Sequence, residues 1–285
     1  MSYEHLNVAN LILTLLRYRT FTLGLAIIVF IGIIAALADT IAPYSPTEFV
    51  AGGLEPPSPK HIFGTDDMGR DLFSMTVYGA RVSLVVGLLA ALLSTVIGTS
   101  IGVLCGVVRG FVDAVVMRII DFMLSLPYLA VALAIVAFLK PSIWIIIVII
   151  AALSWITTAK VVRTHTMSVM GNAFVEAARA VGAGTGRIIT RYVLPNVSPM
   201  ILSSMALNVR GAILFEAALS FLGLGDPSQV SWGTILFYAR RAGAFVLGAW
   251  WYIVPPGLMI MLTVLGFTLI ATGLDEVLNP RLRTT

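Results

Sequence analysis

Apolar positions along this chain gather into six long runs, at roughly 20–38, 82–108, 114–139, 142–162, 198–222 and 251–274, with polar or proline-rich breaks between them. A hydrocarbon core about 30 Å thick takes about 20 residues of α-helix to cross, at about 1.5 Å per residue. The pattern therefore predicts an all-α membrane protein with six transmembrane helices. The first run follows Arg17 and Arg19 and ends at Ala36-Leu37-Ala38, which superficially resembles a signal-peptidase site. Its apolar stretch, Phe21 to Ala38, outlasts the usual signal core of about 7–15 residues, so a retained span is expected. In the second run Ser94, Gly98, Gly102 and Gly106 recur every four residues. That spacing lines small side chains along one helix face and predicts close approach of a neighbouring backbone.

Composition agrees. Of 285 residues, 59% are apolar and 11% charged, and the mean hydropathy is +0.98. Soluble proteins carry about 25% charged residues. No polar block is long enough for a soluble domain, and the single cysteine, Cys105, leaves no partner for an intrachain disulfide. The net charge of +4 comes from residues scattered between the runs, so it speaks for orientation in a bilayer and not for nucleic acid. With the N-terminus inside, eleven of the 18 Lys and Arg fall in cytosolic segments and six in outer ones, which predicts both termini cytoplasmic. Two outer stretches are long. Residues 39–81 are proline-rich, and 223–250 are rich in Gly, Pro and Trp and suit an interfacial lid or re-entrant turn. Trp232, Trp250 and Trp251 are expected in the aromatic belt at headgroup level.

Catalytic chemistry is missing. There is no phosphate-binding G-x-x-x-x-G-K-[ST] loop, and Gly182-Ala183-Gly184-Thr185-Gly186 lacks the G-x-G-x-x-G spacing. His5, His61 and His165 stand apart from Cys or acidic partners at ligand spacing, so no metal site, no cofactor and no enzyme are expected. What remains is charge in unusual places. Thr65-Asp66-Asp67-Met68-Gly69 has turn chemistry and leads into a helix whose first turn can hold Asp71. Asp66, Arg70, Asp71 and Arg81 form either an interfacial charge network or an outer gate. Arg118 and Asp121, three apart, are expected to pair locally. Arg210 and Glu216 fall inside the fifth run, six residues and hence about 120° apart around a helix axis. They cannot easily satisfy each other, so each needs another partner, and both are candidate pathway residues. Leu222-Gly223-Leu224-Gly225 is expected to end the fifth span with cap glycines, and Asp226-Pro227 to stop its continuation.

The polar interval ahead of that span holds Glu176-Ala177-Ala178-Arg179-Ala180-Val181-Gly182, running on to Leu194-Pro195. Its small residues keep the surface low for a partner, and Pro195 is expected to end the segment. A basic amphipathic helix on the membrane surface would also suit Arg179, Arg187 and Arg191. The segment resembles the coupling motif of permeases in ATP-binding-cassette importers, although Tyr192 departs from the isoleucine favoured there. His61-Ile-Phe-Gly-Thr-Asp-Asp-Met-Gly-Arg-Asp-Leu-Phe-Ser74, Tyr78-Gly-Ala-Arg-Val-Ser-Leu84, Glu216 to Gly225 with Ser231-Trp-Gly233, and Leu278-Asn-Pro-Arg-Leu-Arg283 are similar to the C-type permeases of dipeptide, oligopeptide and nickel importers.

This resemblance implies half of a translocation pathway for peptides delivered by an extracytoplasmic solute-binding protein, in the cell membrane. It implies a homologous B-type permease and two ATPase subunits that bind ATP and Mg. It also implies a permease core at 61–285 after an N-terminal tail, first span and loop start at 1–60, with a coupling segment at 172–195. The expected coupling residues are Glu176, Ala177, Ala180, Gly182, Leu194 and Pro195. Nickel-chelate or oligosaccharide import fits the same resemblance. A secondary transporter is the alternative from another class, and related halves with broken midplane helices would mark it.

Overall fold

The computed structural model describes residues 14–278. His5 and the terminal motif from Asn279 onward lie outside the described residues. In chain order the helices are α1 (Arg19–Ala36), α2 (Ala38–Ile41), α3 (Leu72–Val108), α4 (Gly110–Ser125), α5 (Tyr128–Ala137), α6 (Ile143–Met170), α7 (Ala173–Ala180), α8 (Thr185–Ile188), α9 (Leu194–Leu219), α10 (Trp232–Arg241) and α11 (Val254–Leu278). Extended pairing among the described residues is confined to two isolated bridges, Phe49 with Arg70 and Thr65 with Asp71. Among the described residues five helical runs are long and apolar enough to cross a membrane: Arg19–Ala36, Leu72–Val108, Ile143–Met170, Thr185–Leu224 and Trp250–Val277. A sixth exists only if α4 and α5, bent by 84°, count as one.

That bend corrects the uninterrupted third span. Pro127 has no N–H to donate and disfavours helical backbone at Leu126, which is extended with ψ 140°. The second span also starts earlier than its apolar run. Asp71 caps α3 by accepting from the Ser74 N–H at 2.8 Å, and the polar stretch after it (Ser74, Thr76, Ser83) is buried against other elements. Hydropathy marks where lipid contact begins, whereas the cap marks where the helix begins.

Two close helix pairs organise the bundle. Along α3, a Cβ added at Gly98 would lie 2.6 Å from the Trp155 carbonyl oxygen, and one at Gly102 2.7 Å from that of Ala159. The small-residue face predicted for this helix is thus pressed against the backbone of α6. At the other pair, a Cβ on Gly24 of α1 would lie 2.6 Å from the Gly266 oxygen of α11. Asn208 of α9 donates to the Thr95 hydroxyl of α3 and the Thr158 hydroxyl of α6, both at 2.9 Å, which ties α9 to the first pair.

Pro195 does not end the coupling segment. It sits in the first turn of α9, where a missing N–H is harmless, and a π turn at Ile189–Val193 joins α8 to α9 without a break. Pro199, inside α9, leaves the Pro195 carbonyl without its usual donor, and the Ser198 hydroxyl takes that place at 3.0 Å. Helical structure therefore runs from Thr185 to the glycines after Leu222, where Gly223 at φ +92° breaks it as its cap position implies.

The Arg118–Asp121 pair is not formed. Asp121 accepts from Lys160 of α6 at 2.8 Å, and Arg163 of α6 pairs with Asp113 of α4, while Arg118 is exposed. The neighbouring helix α6 places the Lys160 ammonium within 2.8 Å of the carboxylate, and that contact takes the place of one along the same helix. Trp232 is not at an interface belt either. It is fully buried and donates from Nε1 to the Thr76 carbonyl at 2.9 Å, so its polar edge is satisfied inside the protein. Trp250 is exposed, and Trp251 is half-buried.

Candidate coupling surface and translocation site

The coupling segment hangs between α6 and α9. Asn172 donates its side-chain amide to the carbonyls of Ser168 and Val169 at 3.1 and 3.2 Å, closing the end of α6. The short helix α7 has two faces. Val175 and Ala178 point inward, where Val175 packs with Val103, Val162, Met170 and Ile188. Phe174, Ala177 and Val181, at i, i+3 and i+7, point outward, and Val181 is 86% exposed. Glu176, Ala180, Gly182, Leu194 and Pro195 are exposed as well. Tyr192, the position that departs from the motif, lies against Phe174 in a tilted contact with ring centroids 5.9 Å apart.

Gly182 has a second role beyond a low surface. Its φ is +86°, and the Ala183 and Gly182 N–H groups donate back to the Ala178 and Arg179 carbonyls, both at 2.9 Å. This is a Schellman stop, which requires left-handed backbone at the residue after the cap. A bulky residue at 182 would strain the turn itself, so Ala180 is the cleaner place to probe docking.

At the opposite end of the bundle the loop between α2 and α3 is tied down through Asp66, Asp67, Arg70 and Asp71. Asp66 is fully buried and accepts from the Arg70 and Met68 N–H groups and from Arg70 Nε at 2.6 Å. The Arg70 guanidinium lies 5.2 Å above the Tyr238 ring of α10. Asp71 bonds His61 Nδ1 at 2.9 Å, so this histidine does find an acidic partner. Tyr252 donates to Asp67 at 2.8 Å, locking the loop to the segment ahead of α11. Hydrogen bonds also cross residue 60, from the Leu54 N–H to the Asp66 carbonyl and from the Thr65 N–H to the Glu55 carbonyl.

Arg81 belongs to a different cluster. It donates to the Ala35 and Ala36 carbonyls at 2.6 and 3.0 Å, closing the end of α1, and pairs with Asp39 at 2.8 Å. The Arg81 guanidinium and then the Tyr78 hydroxyl hold the Asp39 carboxyl below the usual carboxylate range.

The two charges of the fifth span part company. Glu216 is 2% exposed and accepts from the hydroxyls of Ser220 and Ser231 at 2.7 Å each and of Ser83 at 3.4 Å. Ser231 is also the N-cap of α10, in a reciprocal box with Thr234. One carboxylate thus joins α3, α9 and α10. Beside it is a cleft with about 10 Å³ of free volume, lined by Asp226, Gln229, Ser231 and Thr234, which is the size of one water. Asp226 accepts from the Ile143 N–H at 3.1 Å and so caps α6 while stopping the fifth span. Burial pushes the Asp226 carboxyl up, but the Ser228 hydroxyl and the Ser228 and Ile143 N–H groups outweigh it, and the net shift is downward. Arg210 is half-buried, and its Nε is buried with no hydrogen-bond partner.

The serines around Glu216 escaped sequence reasoning because Ser83 and Ser231 are far apart in the chain and carry no charge. The available signals were their places inside the segments that resemble the C-type permeases, and Ser231 three residues ahead of Thr234, the spacing of a helix cap.

Several long apolar helices, a short two-faced helix at one end and a hydrogen-bonded loop at the other define a multi-pass helical membrane protein. The chain belongs to the family described as binding-protein-dependent transport system inner membrane component, whose model matches residues 98–284. It is similar to the dipeptide transport system permease protein DppC of Escherichia coli K12, 42% identical over 275 residues, covering 94% of this chain and 91% of that protein. The di/tripeptide transport system permease protein DppC of Pseudomonas aeruginosa is 38% identical over 268 residues, 91% of this chain and 88% of that protein. The dipeptide permease DppC of Bacillus subtilis is 37% identical over 263 residues, 91% and 81% of the two chains.

Proposed function

We propose that this chain is one permease subunit of an ATP-driven peptide importer. It forms half of the pathway with a homologous B-type permease, and takes peptides from a solute-binding protein at the end where the α2–α3 loop and α10 lie. Two ATPase subunits bind and hydrolyse ATP with Mg on the cytoplasmic side, and this chain contributes no catalytic group. Both termini are then cytoplasmic, and residues 61–285 with the coupling segment 172–195 form the working core. Asp66, Arg70 and Asp71 keep the outer face rigid where a gate meets the binding protein, and Arg81 holds α1 beneath it.

The observation that carries this reading is the outward apolar stripe Phe174, Ala177 and Val181 on α7, while Val175 and Ala178 anchor the same helix to the bundle. A short helix exposes such a stripe when a partner's groove receives it. The helical run from Thr185 leads from that surface through α9 to Glu216 and breaks at Gly223, so displacement at one end is passed toward the other along α9.

The test is Ala180→Arg in the full importer. It should insert and pair with the B-type permease, yet lose the ATPases on purification and lose ATP-dependent uptake of a dipeptide. Normal ATPase retention and normal uptake would sink the coupling assignment.

A further inference from the structure

Buried polar groups in this protein are partnered with few exceptions, and two of the exceptions share one stripe of α9. Ser203 is 2% exposed and its hydroxyl has no partner, and the buried Nε of Arg210 has none either. Seven residues of α-helix turn about 700°, so positions 203 and 210 lie within about 20° of one another and about 10 Å apart along the axis. Leu207 and Leu214 frame Arg210 at i−3 and i+4 and are 38% and 46% exposed. A Cβ on the adjacent Gly211 would meet nothing within 4 Å. Around residues 207–214 this side of the helix is open, while Ser203 two turns earlier is packed. Arg210 therefore sits where the packed face of α9 gives way to free space, inside a membrane span, with a guanidinium that no carboxylate of the described residues pairs. Asp113 holds Arg163, Asp66 holds Arg70, and Glu216 is taken by serines.

An unpaired guanidinium within a span is costly, and a planar fork of donors matches a carboxylate. We propose that Arg210 receives the C-terminal carboxylate of the peptide in transit, with the small Gly211 beside it leaving room for the chain. Glu216 is set aside from that path because it is 2% exposed and held among three serine hydroxyls of its own subunit. This assignment rests on the peptide-import reading above. A carboxylate also exists in the partner permease, and pairing with it is the competing source of the same chemistry.

The experiment uses the complete importer in proteoliposomes, with dialanine and dialanine amide as probes at saturating binding protein. Complex yield and binding-protein-stimulated ATPase activity are measured alongside uptake. Arg210→Gln should assemble normally, keep its ATPase stimulation and lose uptake of dialanine by about tenfold or more, the worth of one hydrogen bond to a charged group. Arg210→Lys, which keeps the charge but not the fork, should restore part of that uptake, and dialanine amide should be carried equally poorly by wild type and Arg210→Gln. Unchanged dialanine uptake in Arg210→Gln overturns the proposal. So does a loss of complex yield in Arg210→Gln that Arg210→Lys restores, since the carboxylate then belongs to the partner permease. A wild-type complex that assembles, hydrolyses ATP and carries neither peptide refutes the peptide-import reading itself, a result distinct from either failure of Arg210.

Discussion

Removing the Glu216 carboxylate should loosen the end of the bundle that carries α10 before it affects any transport chemistry. Glu216→Ala deletes the acceptor shared by Ser83, Ser220 and Ser231, and leaves three buried hydroxyls to find new partners. Two of the bonds are 2.7 Å long, and the third is weak at 3.4 Å. A buried hydroxyl left without its acceptor costs about 1–3 kcal/mol, so losing the two good bonds and the weak third costs about 3–5 kcal/mol once a water has entered the enlarged cleft. At about 2–4 °C per kcal/mol for a domain of this size, the thermal midpoint should fall by about 6–20 °C. Glu216→Gln keeps an acceptor for Ser220 and Ser231 and offers an amide donor to Ser83, so its loss should stay below about 2 kcal/mol. Ser231→Ala should fall between the two, because it removes one of these bonds together with the cap of α10, worth about 1 kcal/mol. The assay is thermal unfolding of the purified permease pair in nanodiscs, with an ATPase-stimulation control. The reasoning fails if Glu216→Ala melts with wild type, or if Glu216→Gln is as damaging as Glu216→Ala.

Two further outcomes follow from the packing and the charge pattern. Gly102→Val should cost about 1–3 kcal/mol, because its Cβ would lie 2.7 Å from the Ala159 carbonyl oxygen, which is backbone and cannot move aside; Gly211→Ala, with open space at that position, is the control, and the two should separate in thermal unfolding. Single cysteines at 55 and 230 should label with an impermeant reagent added outside intact cells, and one at 172 should not, as the Lys/Arg asymmetry implies; labelling at 172 would reverse the orientation.

The apolar runs alone determined that this is a helical membrane protein, since their length and composition have no other stable use in water. The four-residue spacing of Gly98, Gly102 and Gly106 was likewise legible, because a helix face is a local property of sequence. So was the small, exposed character of the segment after Glu176.

Partnership was not legible. Asp121 reaches Lys160 and not Arg118 because α6 lies alongside α4, a fact of packing that no local spacing carries. Arg210 and Glu216 looked equivalent as charges in one span, and only the bundle brings serines from α3 and from the α10 cap to one of them and leaves the other beside open space. Trp232 had the composition of an interface residue, yet the Thr76 carbonyl lies within reach of its indole nitrogen inside the protein, so it is buried. Sequence sets which residues must leave water. Which polar groups then meet depends on distances between helices, and tertiary structure alone decides those.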